Sequence, residues 1–265
     1  RARLLSAQFE IKEANNFKEK IIMETAQETH SMPRIGDKAP EFKAVTTQGD
    51  VHFPNDYAGS WVVFFSHPAD FTPVCTSEFI TFATMEDQFK LVNTELLGLS
   101  VDGLYSHIAW LRTIGEKIDW KGHKNVNVTF PLIEDIKMDI SNKYGMIQPN
   151  VADTKAVRAV FIVDPKGIIR AIIYYPLSTG RNFDEIYRLV VALQTTDAFG
   201  VSTPADWRPG DEVIVPTAGS CGVAKERAEG KAGDMHCYDW FFCTKKLDKE
   251  TVLSKIVKQP GKPKK

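Results

Sequence analysis

An α/β fold, with a mixed central sheet covered by helices and a smaller C-terminal domain, is what this sequence predicts. Three observations carry that expectation: apolar runs alternate with amphipathic segments from Trp61 onward, a hairpin pattern closes the alternation, and the composition changes after Phe199. "WVVFF", residues 61–65, is a continuous apolar run, the pattern of a strand buried on both faces. Residues 73–90 place Phe79, Phe82, Met85 and Phe89 three or four apart, the spacing of one helix face. "ELLGLSV" is the next strand, so these three elements form a βαβ unit.

A second helix is expected over "YSHIAWLRTIGEKI", followed by a strand at "VTFPLIE" and a short helix near "KMDISNKYG". "VRAVFIV" and "IIRAIIYY" then flank "DPKG", where Pro165 can fix the first corner of a type I turn and Gly167 can close it. "NFDEIYRLVVALQTTDAF" supplies another amphipathic helix. A crossover unit followed by an antiparallel hairpin and a helix gives the arrangement of the thioredoxin-like folds. After Phe199, "STPADWRPGDEVIVP" is rich in turn formers and too irregular for the central sheet, which sets a boundary between a main domain, 32–199, and a C-terminal domain, 200–265. Residues 1–31 lack an initiating Met and an apolar stretch of the kind that marks a secretory signal. They are set aside as an N-terminal extension, whether an expression remnant, a trimmed targeting segment or an upstream piece. The basic end "KQPGKPKK" is expected to be solvated.

A formal charge of -1 gives no electrostatic reason to expect nucleic acid or anionic lipid, and no apolar stretch approaches the roughly 20 residues that span a bilayer. A small molecule or a protein is the expected partner, and the cytoplasm the expected compartment. Four cysteines are too few for a disulfide scaffold. Cys75 stands alone, whereas Cys221, Cys237 and Cys243 cluster late, a pattern suited to redox or metal chemistry.

The chemistry begins at the helix start. Thr72 is placed to cap the helix and Pro73 to be its first residue, because proline lacks the N–H that would be orphaned there. Cys75 then falls in the first turn, where backbone N–H groups and the positive end of the helix dipole favour thiolate over thiol. A thiolate alone gains little rate, since nucleophilicity falls with basicity. Donors aimed at the substrate are also required, and Thr72, the Cys75 N–H and Arg158 are the available ones. Arg158 interrupts the apolar run "VRAVFIV", where a guanidinium is costly unless it meets an anion.

"PADFTPVC", with Pro68, Thr72 and Cys75 in a P-x-x-x-T-x-x-C pattern, resembles the peroxiredoxin active-site motif. "SHPADFTPVCTSEF", "AVRAVFIVDPKGIIR" and "IGDKAPEF" look like the one-cysteine-peroxiredoxin subgroup, and "CYDWFFC" is similar to the C-terminal pattern of archaeal-type thioredoxin peroxidases. The resemblance covers about residues 32 to 250. It implies Cys75 as peroxidatic nucleophile, Thr72 and Arg158 as ligands of peroxide and thiolate, and Pro68 as a shield. Arg181 matches a second arginine of the subgroup, and His67 a position close to the sulfur. Cys243 is implied as the resolving thiol, with Cys237 exchanging with it or assisting it; Cys221 has no counterpart in the pattern. The implied substrates are hydrogen peroxide and alkyl hydroperoxides, the implied donor thioredoxin or another thiol, and no cofactor or metal is called for. Homodimers assembling as five-dimer rings, decamers, are also implied.

Two other readings belong beside this one. Ser60 in "YAGSWVVFF" has Ala58 and Val62 where a G-x-S-x-G lipase pattern wants glycines, and is simpler as a turn residue. Cys221, His236, Cys237 and Cys243 are a possible zinc set by residue type, but adjacent His236 and Cys237 lack the usual C-x2-C turn.

Overall fold

The apolar run after Ser60 forms β3, Trp61–Ser66, and all of its residues are buried. In the computed structural model, which describes residues 32–148, 150, 155–231 and 233–257, the reason is plain. Val63 and Phe65 enter one apolar cluster while Val62 and Phe64 enter a second cluster on the opposite face. The expectations for residues 1–31 and for the basic end 258–265 lie outside the described residues.

Around β3 stand β1 (Phe42–Thr46), β2 (Gly49–Phe53), β4 (Thr94–Ser100), β5 (Leu132–Glu134), β6 (Arg158–Val163) and β7 (Ile169–Tyr175). They form a seven-stranded sheet in the order β2-β1-β5-β4-β3-β6-β7. β3, β4 and β5 run parallel to one another, and the remaining neighbours pair antiparallel, so the sheet is mixed. Helices α1 (Pro73–Leu91), α2 (Leu104–Lys117) and α4 (Phe183–Phe199) contribute Phe79, Trp110 and Ile186 to the first cluster, and the short α3 (Asp139–Lys143) contributes Ile140 to the second. This is the thioredoxin-like arrangement expected from the sequence.

Sequence reading passed over the β1–β2 hairpin, although Phe42, Val51 and Phe53 reach the second cluster. Its turn is held by the Thr46 hydroxyl, which donates to the Gly49 carbonyl at 2.7 Å, and by Gly49 at φ 105°. The strand expected over "VTFPLIE" is shorter in fact, because Pro131 has no N–H to give a ladder. The "DPKG" turn closes through Gly167 N–H to the Asp164 carbonyl at 2.9 Å, with Gly167 at φ 79°. Beyond α4, β8 (Val213–Ile214), β9 (His236–Asp239) and β10 (Phe242–Lys245) form a small antiparallel sheet beside α5 (Cys221–Ala228) and α6 (Lys249–Ile256). Val201, Trp207, Val213, Val252 and Ile256 of this segment join the first cluster, so it shares the main core. No helix among the described residues is long and apolar enough to cross a membrane.

Candidate active site

The chain leaves the C-terminal end of β3 through residues 67–72 and enters α1 with Thr72 at the N-cap and Pro73 in the first helical position. The first ladder bond of α1 runs from Thr76 N–H to the Thr72 carbonyl at 2.9 Å, which leaves the N–H groups before it outside the ladder, that of Cys75 included. Cys75 is a free thiol with no exposed surface. Thr72 holds the N-cap position expected of it, but without a side-chain cap bond. Its hydroxyl makes no bond to the helix and donates instead to the Ala69 carbonyl at 2.8 Å. The loop is tight enough to bring that carbonyl within reach because Phe71 adopts φ 55°. With its hydrogen committed, the Thr72 oxygen is an acceptor toward anything else, not the donor expected from sequence.

Arg158 opens β6, and by strand alternation it shares the face of Val160 and Ile162, the face covered by α1. Its Nη1 lies 3.3 Å from Cys75 Sγ and 2.8 Å from Glu78 Oε2, while Nε and Nη2 donate to the Leu177 carbonyl at 3.0 and 2.7 Å. The guanidinium is thus oriented from three sides.

Glu78 was missed by the sequence reading. It sits one turn after Cys75 on α1, the i,i+3 relation that puts both on one face, and it is buried among Phe79 and Phe82. A carboxylate in that apolar stretch was the available signal. Burial by itself would push its carboxyl up, but the guanidiniums of Arg181 and then Arg158 hold it below its ordinary 4.5. Arg181 grips Glu78 with its backbone N–H, Nε and Nη2 at 2.9, 3.0 and 2.7 Å, and its Nη1 donates to the carbonyls of Ser66 and Ala159. It also lies over the ring of Phe65, 5.0 Å from the centroid. Arg181 therefore supports the site through Glu78, with its donors engaged by protein groups.

His67 and Pro68 are both buried in the loop. His67 bonds to Asp70 at 3.0 Å, and Asp70 in turn to His107 of α2 at 2.8 Å. Asp102 accepts from the Asp70 N–H and the Ser100 hydroxyl. His67, Asp70 and Asp102 lie close together, with Asp70 bonded to both of the others and His67 Nδ1 without a partner among the described residues. Beside Thr72 and Pro73 lies a groove of about 360 Å³ walled by Phe71, Ile80, Trp110 and Trp120.

Cys237 and Cys243 are joined by a disulfide across β9 and β10, while Cys221 is free and exposed at the start of α5. Cys221 and His236 are not brought together with that pair as a metal-ligand set among the described residues. The Ser60 hydroxyl donates to the Asn93 side chain at 3.4 Å, and among the described residues no histidine is bonded to it.

Residues 35–172 match the model of the AhpC/TSA family, and residues 192–230 match the C-terminal domain of 1-Cys peroxiredoxin. A peroxiredoxin of Methanosarcina mazei is 59% identical over 215 residues, covering 81% of this chain and 98% of that protein. A peroxiredoxin of Aquifex aeolicus is 49% identical over 230 residues, covering 83% and 100%. Among solved structures, the yeast mitochondrial 1-Cys peroxiredoxin superposes with a TM-score of 0.70 at 40% identity, covering 82% of this chain and 100% of that one. Peroxiredoxin 6 of Arenicola marina gives 0.69 at 32% identity, covering 81% and 99%.

Proposed function

The chain belongs to the peroxiredoxin family of thiol-dependent peroxidases, and we propose that Cys75 is its peroxidatic nucleophile, acting on hydrogen peroxide and alkyl hydroperoxides. The observation that carries this reading is the Cys75 sulfur in the first turn of α1 with Arg158 Nη1 at 3.3 Å. The sulfur attacks the terminal peroxide oxygen; an S–O bond forms, the O–O bond breaks, and its electron pair leaves on the second oxygen. That oxygen takes a proton and departs as water or an alcohol, and Cys75 becomes a sulfenic acid.

Each neighbour has a role that follows from its bonds. Thr72, whose hydrogen is held by Ala69, accepts the O–H of the peroxide. Arg158 stabilises the sulfur and the charge that develops on the leaving oxygen, in a site where water does not compete. Arg181 is a positioning residue that works through Glu78, Pro68 shields the sulfur, and His67 supports the loop. The apolar groove beside Thr72 supports acceptance of the carbon chain of an alkyl hydroperoxide.

Cys243 is the proposed resolving thiol. It condenses with the sulfenic acid, releasing water and forming a Cys75–Cys243 disulfide; the Cys237 thiolate then attacks Cys243 and releases Cys75. The product of that exchange is the Cys237–Cys243 disulfide, and the nearness of the two residues in one hairpin supports the relay. A thiol reductant completes the cycle. The yeast relative, described with a thiol resolving mechanism via glutathione/thioredoxin systems, supports a donor of that kind. The reading includes homodimers assembled as five-dimer rings, with β7 available as the open edge of the large sheet, and a cytoplasmic setting where thiols are kept reduced.

The test is one equivalent of peroxide added to the reduced protein, followed by nonreducing electrophoresis and peptide mapping. A Cys75–Cys243 species is expected first and a Cys237–Cys243 species later. In Cys243→Ser, single-turnover peroxide loss should stay near the wild-type rate while thioredoxin-coupled turnover collapses. Normal coupled turnover in that variant, with loss in Cys221→Ser, would transfer the resolving role to Cys221.

A further inference from the structure

The two sulfurs of the Cys237–Cys243 disulfide stand in unequal surroundings. The cysteines face each other across β9 and β10, and the strand order of the small sheet is β8-β10-β9. Cys237 thus lies on an edge strand and Cys243 on the central one. Cys237 is half-buried, whereas Cys243 has no exposed surface. On the far side of β10, Thr244 and Lys245 pair with Ile214 and Val213 of β8, and the Val215 N–H donates to the Cys243 carbonyl at 2.9 Å. Val213 is itself fully buried.

Thiol–disulfide exchange is a displacement at sulfur, and its rate depends on which sulfur the attacking thiolate can reach. The thiolate comes in line with the bond it breaks, from the side opposite the leaving sulfur. Approach to Cys243 would therefore come from the side of β8, which is occupied. Approach to Cys237 comes from beyond β9, where the sheet ends. α5 packs against β9, yet Cys237 keeps exposed surface.

We propose that Cys237 is the sulfur attacked by the thiol reductant and that Cys243 is the leaving group. The reductant thiolate forms a bond to Cys237 Sγ as the bond between the two cysteines breaks, and its electron pair leaves on Cys243, which takes a proton. The product is a mixed disulfide between reductant and Cys237. A second thiol of the reductant then attacks the reductant's own sulfur, releases Cys237 as a thiol and carries the disulfide away. Leaving-group stability pulls the other way, since a thiolate forms less readily in a buried place than in a half-exposed one. Access decides, because attack on Cys243 cannot begin until a strand is displaced, whereas a poor leaving group only slows an exchange that can begin. The inference rests on the reading of Cys237–Cys243 as the last protein disulfide of the cycle, and adds where the reductant enters it.

The test uses full-length Cys75→Ser, oxidised with diamide so that the disulfide forms without peroxide chemistry. It is exposed separately to glutathione and to a thioredoxin whose second active-site cysteine is replaced by serine, quenched with acid, alkylated with iodoacetamide and peptide-mapped at the earliest times, before the probe can transfer. The probe is expected on Cys237, with Cys243 alkylated, in about 10-fold or greater excess over the reverse pattern. In denaturant, where both sulfurs are reachable, the preference should fall to near parity. A probe on Cys243, comparable amounts on both, or a preference that survives denaturant overturns the proposal. Absence of a Cys237–Cys243 disulfide after diamide also overturns it. Failure of the peroxidase reading is separate: it would show as retained peroxide turnover in Cys75→Ser, or as a different disulfide in the peroxide-treated wild type, with the map of the diamide-made disulfide unchanged.

Discussion

Cys75 has no exposed surface, and the charged groups around it, Arg158 and Arg181, come from 83 and 106 positions further along the chain to meet it and Glu78 on α1. Cys237 and Cys243 are only 6 positions apart, in a hairpin whose exposed tip carries Tyr238, Trp240 and Phe241. One thiol centre is assembled by the whole fold, the other by a local turn. A small peroxide can be handled in a dry, preorganised site, where fixed donors are worth more than in water. Exchange with a protein thiol demands access, which neither Cys75 nor Cys243, both without exposed surface, offers without movement, while Cys237 is half-buried. In the proposed cycle, oxidation takes place at a centre built from distant segments and thiol exchange at a pair held within one hairpin.

The comparison can be broken most directly at Cys75. Cys75→Ser should abolish peroxide turnover while leaving the melting temperature near that of the wild type, because serine differs little in volume and supplies no thiolate. Substantial residual turnover would mean that the C-terminal cysteines react with peroxide themselves.

Glu78→Gln tests whether the buried centre is held by its charges. With the carboxylate gone, two buried guanidiniums face each other, and a loss of about 3 to 5 kcal/mol in denaturant unfolding is expected. The pH dependence has a definite sign. The folded protein holds Glu78 below its ordinary 4.5, so its stabilising contribution is present above that pH and disappears as the pH falls through the folded value. The wild type should lose stability on acidification faster than Glu78→Gln. Asp70, also held down from its ordinary 3.8, keeps some acid sensitivity in the variant. Parallel acid limbs in the two proteins would show that Glu78 is not the charge that matters.

Arg158→Lys sharpens the comparison with a smaller effect. The guanidinium reaches Cys75, Glu78 and the Leu177 carbonyl together, and an ammonium cannot span all three. Single-turnover peroxide loss should fall by about 10²-fold while a disulfide already present between Cys237 and Cys243 is reduced at an unchanged rate. Equal slowing of both steps would show that the two centres are mechanically coupled.

The sequence by itself determined the elements whose cause is local. Apolar runs and helical spacing made β3, α1 and α4 legible, "DPKG" made its turn legible, and "PADFTPVC" put Cys75 in the first turn of α1, because proline and the helix start act within a few residues. Tertiary structure decided what depends on long separations. The Arg158–Glu78 pairing joins residues 80 apart, the Asp70–His107 bond joins residues 37 apart, and neither partner carries a local pattern that names the other. The direction of the Thr72 hydroxyl was also a tertiary matter, since it depended on how the loop at Phe71 brought the Ala69 carbonyl around. A side chain can read its own turn or its own strand face, but a buried charge is placed by whichever counter-charge the folded sheet and helices bring to it.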